Sequence, residues 1–260
     1  MTERQQPGKK QPNADPLLRY LGHAAFHLTT PGRVRLVIDP FQNPRGRRNW
    51  FRKKFPALKL HIIAVTHDHF DHNAAHTLGG ISTVLKTRAR VKVKDLEVEL
   101  VPERHSRALH RHPDGDGTDM PNHLVVVESH GVRLCHVGDN RHDIAPEAIE
   151  AVGRVDVLTV PVDDSQHLLT YEEVDRMIEA LNPRVVVPMH YFQEGLTTEA
   201  STLEGIDGWL ASLGPDIHVR HIGSPEITLA SDTLPEPGGC PGRHEVWVMQ
   251  AALAGARQTI

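Results

Sequence analysis

Cysteine is almost absent from this chain: among 260 residues only Cys135 and Cys240 carry thiols, which excludes a disulfide framework and a cysteine-rich zinc site. Long apolar runs are missing too, since the stretches 124–127 and 155–162 are short and interrupted, so no membrane span is expected. Neither sign of charge dominates. A formal net charge of −4 gives no overall bias toward nucleic acid or anionic membrane. No G-x-S-x-G segment occurs, and with it the nucleophile elbow of a serine hydrolase is excluded. The first sixteen residues are polar and contain three prolines without an apolar stretch, which predicts a disordered lead-in rather than a secretory signal and makes the cytoplasm the default compartment. Residues 17–250 then read as a single domain and 251–260 as a tail, because a 39% hydrophobic content at this length can bury a full core.

Histidine, by contrast, is abundant. The chain has 19, and imidazole is the commonest side-chain metal ligand. The densest cluster is Thr66-His67-Asp68-His69-Phe70-Asp71-His72, with three imidazoles and two carboxylates in the six residues after the threonine. It follows an apolar run at 62–65 that reads as a buried strand and leads into a predicted helix over 71–78. His67 and His69, two apart in extended chain, can aim at one ion, whereas Asp71 and His72 lie where the backbone has turned and can reach a second. The local pattern therefore predicts two metals.

Strands are further predicted over 18–28, 34–38, 81–85, 96–101, 124–127, 132–137, 156–161, 185–187, 218–222 and 226–229, with a closing strand at 245–249. Thr170 and Glu173 match a capping box, Val174, Met177, Ile178 and Leu181 form one apolar face, and Pro183 stops the helix they define. A second amphipathic helix is predicted over 203–213. Strand runs mixed with helices indicate two sheets sandwiched between helices rather than a parallel βαβ fold. Four more metal-capable residues share one habit, each ending an apolar strand: His23, Asp39, Asp139 and His190. His105 is a looser fifth.

With these motifs in place, the chain resembles the metallo-β-lactamase superfamily. THDHFDH matches its HxHxDH signature, and His105, Gly138-Asp139 and Pro188-Met189-His190-Tyr191 stand in the order of its later motifs. The segments Tyr20 to Phe26, Ile38-Asp39-Pro40-Phe41 and PMHY are similar to the branch containing ascorbate 6-phosphate lactonase and other metal-dependent hydrolases. That resemblance implies an αββα sandwich with the metals in a cleft at one edge between the sheets. It implies that His67, His69 and His105 bind one metal, that Asp71, His72 and His190 bind the other, and that Asp139 bridges them. His110 and His112 compete with His105 for the third position. His136 reads as a strand residue. His23 and Asp39 read as residues behind the ligands or facing substrate, with Asp39 suited to accept the ring N–H of a ligand histidine.

The chemistry implied is that of a hydrolase with two Zn2+, Mn2+ or Fe2+ being alternatives, in which Asp71 and Asp139 serve catalysis. In such centres the metals lie about 3.5 to 4 Å apart and share a water whose pKa falls toward about 7. The bridging hydroxide would attack an ester, lactone or phosphodiester bond. Two other classes compete. Iron-dependent oxygen or sulfur chemistry of the persulfide dioxygenase kind uses similar ligands, although the GHAAF and PMHY context favours the hydrolytic branch. Nucleic-acid processing is suggested by Arg45, Arg47, Arg48, Arg52, Lys53 and Lys54 interleaved with Trp50, Phe51 and Phe55, since such segments grip phosphates and stack bases. The same segment can be a solvated loop or a mouth loop attracting a small anionic substrate. A small molecule is the favoured partner and nucleic acid the disfavoured one, with a homo-oligomer left open. Asp163-Asp164 departs from the glycine-rich turn expected of close relatives near the cleft. His142 reads either as a substrate contact or proton donor or as a loop residue, and His167 is equally open.

Overall fold

The structure is a computed structural model that describes residues 15–106, 120–236 and 244–253. The first strands are β1 (Leu17–Gly22), β2 (Ala25–Thr29), β3 (Arg35–Ile38), β4 (Ile62–Ala64) and β5 (Thr83–Leu85). There follow β6 (Ala89–Val93), β7 (Leu96–Arg104), β8 (Pro121–Ser129), β9 (Val132–His136), helix α1 (Pro146–Val152), β10 (Val157–Pro161), helix α2 (Tyr171–Leu181) and β11 (Val185–Met189). Helix α3 (Asp207–Ser212), β12 (His218–His221), β13 (Glu226–Thr228) and β14 (Glu245–Val248) complete the order. Among the described residues no helix is long and apolar enough to cross a membrane.

The strands form a six-stranded sheet in the order β13-β1-β2-β3-β4-β5 and an eight-stranded sheet in the order β12-β14-β11-β10-β9-β8-β7-β6. Each is mixed. In the first, β1 to β3 pair antiparallel and β3 to β5 parallel; in the second, β6 to β9 are antiparallel and β9, β10, β11 and β14 parallel. Leu18, Phe26, Leu36 and Ile62 of one sheet and Leu100, Val125, Leu134, Leu158 and Val186 of the other belong to one buried cluster, so a single apolar layer joins the sheets. The two-sheet sandwich read from the strand pattern is the observed fold.

Three elements differ from expectation. The run 18–28 is two strands folded on each other at His23-Ala24, because Gly22 and His23 take φ of +112° and +56° and reverse the chain. The helix foreseen over 71–78 shrinks to a single 3₁₀ turn at Ala75–Thr77. Here the Ala74 amide donates to the Pro40 carbonyl at 2.7 Å instead of joining a helical ladder, and the buried Asp71 and His72 side chains are drawn inward. The helix expected over 203–213 begins only at Asp207, since the Glu204 carbonyl is already taken by the Phe192 amide at 2.7 Å. The α2 capping box is present in full, with Thr170 and Glu173 each bonding the other's backbone. Edge strand β6 and helix α1 went unread; Pro146 at the first helical turn is the signal that would have located α1.

One strand residue makes the fold sensitive to acid. His27 lies directly across from Arg19 on β1, and burial, aided by Arg19 and Arg35, pushes its ring down from 6.5 to about 4. The unfolded chain therefore takes up this proton first: the stabilising difference is complete above about pH 6.5 and is lost as pH falls toward 4. Urea titrations at pH 7 and pH 4.5 should show a loss of stability that is smaller by about 2 kcal/mol in His27→Gln than in the parent. An identical loss in both proteins would assign the acid sensitivity elsewhere.

Candidate metal centre

The carboxylate of Asp39 organises the rear of the site. Its residue ends β3 in a left-handed conformation (φ +47°) and is wholly buried. Oδ1 accepts the Thr66 amide at 2.8 Å, while Oδ2 accepts the Thr66 hydroxyl at 2.7 Å, His72 Nδ1 at 2.8 Å and His136 Nε2 at 3.1 Å. Burial would raise its pKa, yet His72 and His136 together hold it well below the usual carboxylate range. His72 must therefore carry its proton on Nδ1, which leaves Nε2 facing forward. The Thr66 hydroxyl, having donated to Asp39, can accept from His67 Nδ1 at 2.9 Å, so one carboxylate sets two tautomers. Thr66 in turn needs Gly138: a Cβ on that residue would meet Thr66 Oγ1 at 2.5 Å.

Beside smaller sets at Asp39, His67 and His72 and at Asp163, His167 and His190, two sets of four metal-capable residues stand in front of this base, each within 4.8 Å internally. One comprises His67, His69, His105 and Asp139; the other comprises His23, Asp71, His72 and His190. Asp139 lies between them. Its Oδ2 is 3.7 Å from His67 Nε2, 3.6 Å from His105 Nε2 and 3.5 Å from His190 Nε2, and its Oδ1 is 3.3 Å from His72 Nε2. His105 donates Nδ1 to the Ser106 carbonyl at 2.6 Å, which again leaves Nε2 for the centre.

The donor set fits a cation. His72 Nε2, His105 Nε2, both nitrogens of His190 and Asp139 Oδ1 are buried with no hydrogen-bond partner among the described residues. So many orphaned polar atoms at one point would be costly unless a ligand completes them, and nitrogen with carboxylate oxygen is the donor chemistry of zinc and its neighbours. Protonation tells the same story. Burial would discharge His72, but Asp139, Asp39 and Asp71 together raise its pKa well above the ordinary value. Three converging carboxylates thus call for positive charge at this place.

The remaining sequence-read residues have definite positions. His23, also left-handed (φ +56°), sets Nε2 3.0 Å from Asp71 Oδ2 and lies tilted against His190 with ring centroids 4.1 Å apart; burial lowers its pKa to about 4, so it is neutral. His136 is a strand residue whose ring links Asp39 to the Thr159 hydroxyl at 2.7 Å. His142 is paired with Glu173 at 3.1 Å and belongs to neither donor group. His110 and His112 lie outside the described residues. Asp164 is structural, accepting the Gly208 and Trp209 amides at 3.0 Å each where α3 begins. Asn122 and Asn140, which pattern reading passed over, bond each other at 2.8 Å beside Val137 and Asp139. No local signal distinguishes them, because their partners are remote in sequence.

The basic segment turns its aromatics inward. Phe51 is buried and stacks on Phe41 at 4.1 Å, Phe55 meets Phe41 edge-on at 5.1 Å, and Trp50 packs on Phe70 at 4.9 Å. Arg45, Arg47 and Arg48 stay exposed. These rings pack against the core beside His23.

A family model described as a beta-lactamase superfamily domain matches residues 17–190. The chain belongs to the metallo-β-lactamase superfamily. A metal-dependent hydrolase of Thermus thermophilus is 31% identical over 200 residues, an alignment covering 67% of this chain and 83% of the relative, which places the chain among the superfamily's metal-dependent hydrolases. A metal-dependent hydrolase of Thermococcus onnurineus is 28% identical, with 67% and 84% covered. Among solved structures, a candidate Zn-dependent hydrolase of the superfamily from Thermotoga maritima superposes with a TM-score of 0.62 and 25% identity, covering 90% of this chain and 98% of that one. The superfamily and the fold implied by THDHFDH are thus the right ones.

Proposed function

We propose that this metal-dependent hydrolase works with two zinc ions and cleaves an ester, lactone or phosphodiester bond in a small, anionic substrate. The observation that carries the reading is Asp139, whose two oxygens face orphaned imidazole nitrogens of both donor groups. His67, His69 and His105 would hold one ion, Asp71, His72 and His190 the other, with Asp139 between them. Such ions, when bound, polarise the scissile carbonyl or phosphoryl group and make hydroxide available near neutral pH.

The chain's own residues prepare that event. Asp39 fixes the His72 ring and, through Thr66, the His67 ring, so that their Nε2 atoms converge without rotational search. His23 holds the Asp71 carboxylate from behind at 3.0 Å. Asp71 and Asp139 supply the negative charge that orients an attacking water and its proton. Because Asp139, His67, His72 and His190 are all buried, their electrostatic action is little diluted by solvent. A single domain over residues 17–250 in the cytoplasm is the setting proposed for this reaction.

Elemental analysis decides the metal reading: protein purified without added metal and then reconstituted should bind two zinc ions per chain, and one tightly held ion in excess zinc would refute it. The same measurement before reconstitution separates zinc from manganese or iron. The exposed arginines test the substrate's charge. As a mouth loop they act over about the Debye length of 8 Å, so Arg47→Glu combined with Arg48→Glu should lower kcat/KM several-fold at low salt, roughly fivefold, and leave kcat intact. An unchanged kcat/KM would make the segment a solvated face, and loss of salt-dependent binding to single-stranded nucleic acid would reinstate the nucleic-acid reading.

A further inference from the structure

The loop between β10 and α2 carries an imidazole to which the two-ion centre gives no role. Residues 162–168 are fastened to the donor cluster at both ends. The Val162 amide donates at 3.0 Å to the carbonyl of Met189, the residue before His190. At the far end the Ser106 hydroxyl donates to the Leu168 carbonyl, and the Ser106 amide donates to the Asp139 carbonyl at 2.7 Å. His167 is therefore held on a span anchored beside His190 at one end and beside His105 and Asp139 at the other.

Its orientation is fixed by Asp163. His167 Nδ1 is 2.7 Å from Asp163 Oδ2 and 3.0 Å from Ser165 Oγ, while the Ser165 amide donates to Asp163 Oδ1 at 2.9 Å. The polar atoms of Asp163, His167 and His190 lie within 4.8 Å of one another, and the two rings are 5.6 Å apart. The Asp163 side chain is 2% exposed and that of His167 is 19% exposed. A buried carboxylate thus braces an imidazole that a ligand can touch, and the bond from Nδ1 leaves Nε2 as the ring's remaining polar atom.

We infer that His167, braced by Asp163, gives the proton to the leaving oxygen of the substrate; this rests on the hydrolase reading above. As the bond from carbon or phosphorus to that oxygen breaks, its electron pair passes to the oxygen, which takes the proton from His167 Nε2. The ring becomes neutral, Nδ1–H stays with Asp163, and the carboxylate is unchanged. The Asp163 charge matches the imidazolium before the transfer. An alkoxide leaves slowly unless it is protonated, whereas p-nitrophenolate leaves unaided, so the role has a signature independent of binding.

The test compares zinc-reconstituted wild type, His167→Gln and Asp163→Asn on two probe pairs: p-nitrophenyl and ethyl butyrate, and p-nitrophenyl and ethyl phenylphosphonate. On the pair that wild type turns over, His167→Gln should lower kcat for the ethyl member about 100-fold or more and for the p-nitrophenyl member by less than about 3-fold, with Asp163→Asn between. Zinc content and the visible spectrum of the cobalt-substituted protein should be the same in wild type and His167→Gln. Equal losses on both members, or a wild type active only on p-nitrophenyl probes, would overturn the role. A changed cobalt spectrum or a lost metal in His167→Gln would instead make His167 a ligand. Wild type that binds two zinc ions and turns over neither pair would overturn the ester and phosphodiester reading and this role together.

Discussion

Asp139→Ala should bring hydrolysis down by at least about a thousandfold, a loss of roughly 4 kcal/mol in transition-state stabilisation, and should bring the bound metal below two ions per chain. Four imidazoles, those of His67, His72, His105 and His190, have their Nε2 atoms within 3.3 to 3.7 Å of its carboxylate. The other acidic residues of the centre do not face the Nε2 atoms of both groups: Asp71 stands with His23, His72 and His190, and Asp39 lies behind, bonded to His72 Nδ1 and His136 and reaching His67 through Thr66. Removing Asp139 therefore takes away the charge that the two halves share. The fold should survive, because the apolar layer from Leu18 to Val186 is assembled without the donors and does not depend on metal as a small zinc finger does. Far-UV circular dichroism and elemental analysis on one sample check both halves of the expectation. Full occupancy of two ions with activity retained would remove Asp139 from the bridging position, and a collapsed spectrum would show that the centre carries the fold.

The second large effect concerns Asp39, and here two substitutions should behave differently. Asp39→Ala strips partners from the Thr66 amide and hydroxyl and from the rings of His72 and His136 at a point with no solvent. Breaking one side of a buried ionic network costs about 3–5 kcal/mol, which for a domain of this size is roughly 10 °C in Tm. Asp39→Asn keeps the volume and one acceptor but no longer fixes the His72 tautomer, so the protein should stay folded while its zinc affinity falls about 10- to 100-fold. Thermal unfolding of metal-free protein and competitive zinc titration separate the two outcomes. Equal zinc affinity in Asp39→Asn and wild type would show that the ring orientation of His72 does not depend on this carboxylate.

Much of the centre was legible because its chemistry is local. His67, His69, Asp71 and His72 stand within six residues, and an apolar run directly before them forces a buried strand end there; no distant information is needed to see that such a turn gathers donors. The helix after Thr170 was equally legible, since a capping box and an apolar face are properties of neighbours in sequence. Strand-end positions marked His23, Asp39, Asp139 and His190 for the same reason. Periodicity could not foretell that the rings of His23 and His190 would meet at 4.1 Å, because residues 167 positions apart meet only when the β1–β2 turn of one sheet reaches the end of β11 in the other. His136 was read as a strand residue, and its bond to Asp39 spans 97 positions, as remote from any local pattern. The aromatics of the basic segment could face solvent or core with the same sequence, and the choice was made by the gap beside His23 that Phe41 and Phe51 fill. His167 was ambiguous until the loop's two anchors brought it to the cluster. Donor types and local turns follow from short-range sterics and hydrogen bonding along the chain, while their convergence, tautomers and neighbours follow from which strand ends the packing of two sheets brings together.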